Sequence, residues 1–232
     1  MALKGFIENS LLDWDGKVSA VLFLSGCNYR CPFCHNPELA TDSPELKELS
    51  LDLVLSRLEA LKLWLDGVVV TGGEPCIYGG LEKLLRTLKA RGFSVKLDTN
   101  GSRPDILKDL LSKGLVDYVA MDVKAPLEKE KYARLSGCAA DPELPFESAA
   151  VLRSSGVAHE FRTTVVPGML GIEDLLDIAK ALGTDERYFL QGFKGGKTLS
   201  PELSGVQPCG EEFLQQAAAA CGRDVSGCGV RS

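Results

Sequence analysis

The spacing of apolar and polar residues along the chain predicts strands that alternate with helices. Short, β-branched apolar runs at residues 18–24 and 67–71 are typical of buried strands. Between and after them, residues 46–65 and 81–90 repeat leucines at helical intervals, and Gly92 follows the second of these helices as a stop signal. The alternation of strand and helix patterns along the chain indicates an α/β fold.

Six strand-then-helix units follow one another. The predicted strands are 18–24, 67–71, 93–97, 116–123, 160–166 and 187–190, and the predicted helices are 46–65, 81–90, 104–112, 145–155, 172–182 and 214–221. Such a series implies a parallel sheet with right-handed crossovers. Because eight units complete a barrel, we expect a partial (β/α)6 TIM-like barrel. It would form one domain over 1–232, with a core at about 17–193 and a C-terminal tail at about 194–232. Functional residues should lie at the carboxyl ends of the strands.

Composition narrows the class of protein. The chain has 232 residues, 45% of them hydrophobic, which is ample for a core. Its net charge of −6 and the lack of any Lys/Arg run disfavour nucleic-acid binding. No apolar run is long enough to span a bilayer, and residues 1–10 mix charged with apolar side chains, unlike a signal peptide. We therefore expect a cytoplasmic protein with neither a membrane nor a nucleic-acid partner.

Three of the eight cysteines form a C-x3-C-x2-C motif directly after the first predicted strand, at Cys27, Cys31 and Cys34. A disulfide framework is typical of shorter, secreted chains. Thiolates on so short a loop can bind three irons of a four-iron cubane and leave the fourth iron open. A closed zinc or electron-transfer site is the alternative, but zinc would require a fourth ligand. His35 adjoins Cys34 and is poorly placed to supply it.

Polar motifs follow the other predicted strands. Thr71-Gly72-Gly73-Glu74-Pro75 ends the second strand, where two glycines allow close backbone approach and Glu74 can accept hydrogen bonds from a cationic amine. By itself this motif is more typical of an ordinary turn. Further strand ends carry Asp98, Thr99, Asn100, Asp122, Lys124, Arg162 and Gln191. These could be surface ion pairs, but their convergence at one sheet edge favours a ligand site.

The cysteine motif, with Phe33 just before its third cysteine, resembles the signature of the radical S-adenosylmethionine (SAM) superfamily. The Gly-Gly-Glu-Pro motif resembles the methionine-binding motif of the same superfamily. The resemblance implies a 4Fe–4S cluster and SAM as cofactors, with reductive cleavage of SAM to a 5′-deoxyadenosyl radical. It assigns the cluster to Cys27, Cys31 and Cys34, and contacts with SAM to Phe33, His35, Gly72, Gly73 and Glu74.

The later strand ends resemble those of the activating enzyme of pyruvate formate-lyase. By that resemblance, the further cofactor contacts are Asn100, Asp122, Lys124, Arg162 and Gln191, with Gln191 near the adenine. The same resemblance makes Asp98, Thr99 and Asp122 candidates for a monovalent cation site.

The amino-terminal residues 5–37 look like those of anaerobic ribonucleoside-triphosphate reductase activating proteins. This resemblance implies an oxidoreductase that makes a glycyl radical on a partner enzyme, with a flavodoxin or ferredoxin-type protein as electron donor. Two alternatives stay open. One is a radical SAM enzyme acting on a small molecule or another peptide, and the other is a non-catalytic iron–sulfur electron carrier.

Five cysteines lie outside the motif. Cys76 fits a small buried hydrophobe better than a site residue, and the sequence assigns no role to Cys138. Cys209, Cys221 and Cys228 share a C-terminal segment, but their irregular spacing makes a second metal site the weaker interpretation.

Overall fold

A computed structural model of the protein describes residues 2–231. Its eight strands form one sheet in which they are ordered as in the chain, and every neighbouring pair is parallel except the first. The strands are β1 Leu3–Ser10, β2 Ser19–Leu24, β3 Gly67–Gly72, β4 Val95–Thr99, β5 Tyr118–Asp122, β6 Ala158–Val165, β7 Arg187–Gly192 and β8 Gly227–Arg231.

The helices connect consecutive strands and cover one face of the sheet. They are α1 Pro37–Ala40, α2 Leu51–Leu61, α3 Leu81–Ala90, α4 Pro104–Ser112, α5 Lys129–Ser136, α6 Glu143–Ser155, α7 Ile172–Leu182 and α8 Glu211–Cys221. Within residues 2–231, no helix has the length and apolar character that crossing a membrane requires.

The predicted α/β fold with its parallel sheet is confirmed, and all six predicted strands are present with ends shifted by at most two residues. The prediction of six strands is nevertheless too low, because β1 and β8 flank the sheet. β1 pairs antiparallel with β2, and β8 extends the parallel series beyond β7. Both are edge strands with mostly half-exposed side chains, so neither has the apolar run that marks a buried strand.

The helices differ from the prediction mainly at α2 and α5. The helix expected at 46–65 begins only at Leu51, because Ser50 caps it by accepting a hydrogen bond from Leu53 N–H, while Leu49 N–H bonds to Leu3 of β1. Helix α5 is absent from the predicted helices, as is the short helix α1. Helix α5 buries only Tyr132, Leu135 and Ser136, too few positions to stand out among its charges.

The two faces of the sheet have different cores. Alternate strand residues pack against the helices in the large outer core. The residues between them face the concave, helix-free side, where Trp14, Val21 and Val69 form a small separate cluster with Phe23 and Tyr118 packed on it. Trp14 precedes β2, so this cluster closes the end of the partial barrel where the parallel strands begin.

Candidate active site

A cavity lies at the carboxyl ends of the parallel strands. Its volume is about 870 Å³, including the entrance that is open to solvent. The predicted site residues that line it are Cys27, Cys31, Phe33, Cys34, His35, Gly72, Gly73, Asp98, Thr99, Asn100, Asp122, Lys124, Arg162 and Gln191. Every predicted site residue except Glu74 is therefore at this cavity. The fold has brought together motifs that are as far apart as residues 27 and 191.

The cysteine loop follows β2 and is held by its neighbours through backbone hydrogen bonds. Gly26 N–H and Cys27 N–H bond to the carbonyls of Leu39 and Ala40 at 2.7 and 3.1 Å, and Arg30 N–H bonds to Ser136 at 2.7 Å. Gly137, which ends α5 at φ 68°, presses against the same loop. A Cβ atom at Gly137 would lie 1.9 Å from the Arg30 carbonyl oxygen, so only glycine fits there.

The three motif cysteines are free thiols in a largely buried setting. Burial raises the pKa of Cys27 to about 11 and that of Cys31 to about 12. Both are therefore protonated at neutral pH without metal, and iron binding must displace their protons.

Five charged side chains of alternating sign line the concave face beneath the cysteine loop. Lys96 lies 3.5 Å from Asp98, and Arg162 reaches Asp98 at 3.3 Å and Asp122 at 2.9 Å. Lys124 ends the series, 2.9 Å from Asp122. We call these five residues the charge ladder.

The ladder keeps Asp122, Lys124 and Arg162 ionised although they are largely buried. Burial raises the pKa of Asp122, but the charges of Arg162 and Lys124 outweigh it and hold that pKa well below its ordinary value. Burial lowers the pKa of Lys124, and Asp122 reverses the shift and raises it. The cavity therefore offers both a fixed ammonium and fixed carboxylates to a zwitterionic ligand.

Below the cavity, the concave face is filled by side chains of the protein itself. The guanidinium of Arg231 on β8 makes two hydrogen bonds with buried Glu160 and one with Asp15, and it lies 3.7 Å from the centre of the Phe189 ring. Tyr118 donates to Glu160 at 2.8 Å. These contacts occupy the layer between the charge ladder and the Trp14 cluster.

The profile of the Radical SAM superfamily matches residues 21–182, from β2 to the end of α7. The chain belongs to the radical SAM superfamily. Its cofactors are accordingly a 4Fe–4S cluster and SAM.

Among relatives of this radical SAM protein is one from Methanocaldococcus jannaschii, provisionally named glycyl-radical enzyme activating enzyme MJ1227. It is 33% identical over 92% of this chain and 89% of its own length. The pyruvate formate-lyase-activating enzyme of Staphylococcus aureus is 33% identical over 58% of this chain and 59% of that enzyme. The 7-carboxy-7-deazaguanine synthase of Methanopyrus kandleri is 35% identical over 48% of this chain and 51% of its own.

Solved structures share the fold. SuiB of Streptococcus suis bound to its precursor peptide SuiA superposes with a TM-score of 0.68 at 15% identity, over 91% of this chain and 48% of SuiB. QueE of Escherichia coli superposes with a TM-score of 0.58 at 18% identity, over 99% of this chain and 93% of QueE. This chain thus spans about half the length of SuiB and nearly all of QueE.

The donor set of this radical SAM protein fits the cluster. Within residues 2–231, no three His, Cys, Asp or Glu side chains gather around a single-ion position. A cubane does not require that, because each of its three thiolate ligands binds a different iron. Cys27, Cys31 and Cys34 line one cavity and would hold the cluster. His35 instead stacks on Phe193, with ring centres 6.0 Å apart.

Glu74 is the predicted contact that the structure places elsewhere. Its carboxylate is fully buried and accepts hydrogen bonds from Cys76 N–H at 2.9 Å, Thr99 Oγ1 at 2.7 Å and Asn100 N–H at 2.6 Å. Burial raises the pKa of Glu74, and these donors oppose the rise. The contact of Glu74 with the amine of SAM stays a prediction. In the structure its oxygens anchor the end of β4 to the Gly-Gly-Glu-Pro loop.

The Gly-Gly-Glu-Pro loop requires glycine at position 73, because its backbone lies against that of the cysteine loop. The N–H of Gly73 bonds to Leu24 at 2.8 Å, and the N–H of Glu74 bonds to Gly26 at 2.8 Å. A Cβ at Gly73 would lie 2.0 Å from the Gly26 carbonyl oxygen. The Gly-Gly-Glu-Pro and cysteine loops are thus joined backbone to backbone, which fixes the two motifs relative to each other.

Glu74→Gln should destabilise the fold by about 1–3 kcal/mol, because one amide N–H would then face a buried donor. The matched control is Glu82→Gln, which loses only exposed ion pairs with Arg86 and Lys113 and should cost under about 1 kcal/mol. Anaerobic urea denaturation measures both. If Glu74→Gln is no less stable than the control but binds SAM much more weakly, its carboxylate contacts the cofactor after all.

The predicted monovalent cation site stays a prediction that the contacts do not favour. Asp98 and Asp122 are both paired with Arg162, and Thr99 donates its hydroxyl hydrogen to Glu74. A cation there would compete with a guanidinium already in place.

Further residues line the cavity that the sequence did not single out. They are Tyr29, Asn36, Ala40, Thr71 and Thr164. Thr164 could have been found from the strand period, because it lies two residues after Arg162 on β6 and therefore on the same face. It is paired in register with Gln191 on β7.

The remaining cysteines lie in different surroundings. Cys76 is buried, as expected of a small hydrophobe. Cys138 is half-buried beside the cysteine loop, with its sulfur 3.6 Å from the Asn28 carbonyl oxygen. Cys221 at the end of α8 and Cys228 on β8 pack into the outer core.

Proposed function

We propose that this radical SAM protein is an activase, an oxidoreductase that generates a glycyl radical on a partner enzyme. The observation that carries the proposal is the filled concave face below the cofactor cavity. A small-molecule substrate held inside the barrel would need that space. Here Arg231, Glu160 and Phe189 occupy it, and Trp14 closes the end beyond them.

The hydrogen donor must then approach from the open rim, where the strands end. A loop of a partner protein can reach the cavity by that route without being enclosed. The relatives from M. jannaschii and S. aureus, which are named as activating enzymes, support the same assignment.

When bound, the cluster and SAM supply reductive cleavage of SAM to methionine and a 5′-deoxyadenosyl radical. The chain's own residues orient the cofactor. Lys124 is suited to the carboxylate of SAM and Asp122 to its cationic groups, because both stay ionised in the cavity. Gly72 and Gly73, which line the cavity, would let backbone groups contact the methionine end, and we assign Gln191 to the adenine.

The partner we propose is anaerobic ribonucleoside-triphosphate reductase, on the resemblance of residues 5–37 to its activating proteins. A flavodoxin or ferredoxin-type protein would deliver the electron, in the cytoplasm. The second candidate is small-molecule radical chemistry, which the partial likeness to 7-carboxy-7-deazaguanine synthase favours. That likeness covers under half of this chain.

The test is anaerobic incubation of the reduced, reconstituted protein with SAM and the reductase of the same organism, followed by electron paramagnetic resonance. We expect a glycyl doublet that requires both proteins, with one 5′-deoxyadenosine formed per radical at early times. The matched control is a reductase in which alanine replaces the radical-bearing glycine. It should give no doublet.

Two results would contradict the proposal in different ways. A doublet on pyruvate formate-lyase but not on the reductase would keep the activase and change its partner. If 5′-deoxyadenosine release is stimulated by small molecules while no protein carries a radical, the activase assignment fails.

A further inference from the structure

Two asparagines lie side by side where the cysteine loop meets the end of β4. Asn28 follows Cys27 in the loop, and Asn100 follows β4. The Nδ2 of Asn100 lies 3.1 Å from Oδ1 of Asn28 and 3.9 Å from Sγ of Cys27. This contact links the cysteine loop to the sheet through side chains rather than backbone.

The orientation of the Asn100 amide is fixed by its neighbours. Its two N–H bonds point to Asn28 Oδ1 and Cys27 Sγ, and its Oδ1 accepts from Ser102 N–H at 3.0 Å. A flipped amide would bring its oxygen against the Asn28 oxygen and the Cys27 sulfur, and an N–H against the Ser102 N–H. All hydrogen-bonding groups of the amide are therefore used within the protein.

Further hydrogen bonds hold Asn28 and Asn100 in place. Asn28 Nδ2 donates to Ser102 Oγ at 2.8 Å, and the backbone N–H of Asn100 donates to buried Glu74 at 2.6 Å. Asn100 is only 6% exposed. The amide therefore has little freedom to turn away from the sulfur of Cys27.

Cys27 differs from the other two cluster ligands in its donors. Besides Asn100, the N–H of Tyr29 points to Cys27 Sγ at 3.4 Å. Within residues 2–231, no hydrogen bond of this kind reaches the sulfur of Cys31 or Cys34. The hydrogen-bond donors around the three sulfurs are thus distributed asymmetrically, with both of them at Cys27.

We infer that Asn100 is a positioning residue that donates an N–H···S hydrogen bond to the Cys27 thiolate and raises the reduction potential of the cluster, with Asn28 holding its amide in place. Reduction adds negative charge to the cluster, and a donor at a ligand sulfur stabilises that charge. The inference concerns the cluster alone and is independent of which partner or substrate the enzyme uses.

The test is a redox titration of the reconstituted full-length protein, followed by electron paramagnetic resonance of the reduced cluster. Asn100→Leu keeps the side-chain volume and removes the donor. At a fixed potential, its ratio of reduced to oxidised cluster should fall about tenfold, which is about 59 mV for a one-electron couple. Asn9→Leu on β1, an exposed asparagine remote from the loop, is the matched control and should titrate like the parent protein.

A second variant covers the case in which Asn100→Leu fails to hold a cluster. Asn28→Ala changes an exposed side chain, leaves the donor in place and frees its amide to rotate, so the reduced fraction should fall by a smaller factor. Electron–nuclear double resonance in D2O adds a direct readout. Two exchangeable protons should couple to the reduced cluster, one from the Tyr29 N–H and one from the Asn100 amide. The Tyr29 coupling should persist in both variants, whereas the second coupling should weaken in Asn28→Ala and vanish in Asn100→Leu.

Unchanged potentials would overturn the inference. The variants at Asn100 and Asn28 that bind four irons are the ones to compare. If their clusters have the same reduction potential as the Asn9→Leu control and keep both exchangeable proton couplings, Asn100 is not a donor to the cluster. Weaker SAM binding at an unchanged potential would instead make Asn100 a contact of SAM itself.

Discussion

Replacing Cys27, Cys31 and Cys34 together by alanine should leave a folded protein with no four-iron cluster and no SAM cleavage above background. All three thiols line the cavity, and they are the cysteines among the residues that line it. Iron and sulfide analysis after anaerobic reconstitution, with chromatography of 5′-deoxyadenosine, measures both losses.

The matched control is a triple alanine variant at Cys138, Cys209 and Cys228. These cysteines are also half-buried but lie away from the cavity lining, so cluster content and cleavage should be retained. Four irons remaining in the first variant would contradict the assignment and indicate a second cluster. The C-terminal cysteines would then be the first candidates.

Arg162→Met should destabilise the protein by about 3 kcal/mol, the lower end for breaking a buried ion pair, because Asp98 and Asp122 lose their shared partner but keep Lys96 and Lys124 as counterions. Asp98 and Asp122 both pair with this guanidinium, whose side chain is only 12% exposed. Urea denaturation of the cofactor-free protein measures the loss directly, apart from any effect on SAM binding.

Arg57→Met is the matched control, since Arg57 pairs with Glu8 at the surface and should contribute under about 1 kcal/mol. Arg162→Lys should fall between the two, because it keeps the charge but cannot bond to both carboxylates at once. Equal stabilities for the Arg162→Met and Arg57→Met variants would mean that the ladder is solvated and contributes little to the fold.

Much of the fold could be predicted from local patterns. The six inner parallel strands are short apolar runs closed by turn residues, and helices α3, α4 and α7 have the predicted bounds because leucine spacing and a following glycine or lysine mark them clearly. The edge strands β1 and β8 were not predicted, because they form by pairing with partner strands and their own residues lack the apolar pattern of a buried strand. The Gly-rich stretch 227–231 has no strand signal of its own.

The candidate site likewise has features that local sequence patterns predict and features that depend on distant contacts. Residues near the ends of predicted strands were found, because the parallel topology brings those ends together. The hydrogen bonds of Glu74 could not be predicted, because its three donors come from the end of a different strand and from its own turn, which no spacing rule reveals. The filling of the concave face by Arg231 also depends on a contact across 71 residues, with Glu160.

The occupied concave face limits how the enzyme could be redesigned for compact substrates. Making room there requires replacing Arg231 and Glu160, and the order of the two substitutions matters. Replacing Arg231 first would leave the carboxylate of Glu160, only 2% exposed, without its counterion. Replacing Glu160 first would leave Arg231 partly exposed and still paired with Asp15. Evolution by single substitutions toward an enclosed substrate pocket would therefore be restricted to routes that begin at Glu160, which favours retention of the open-rimmed form.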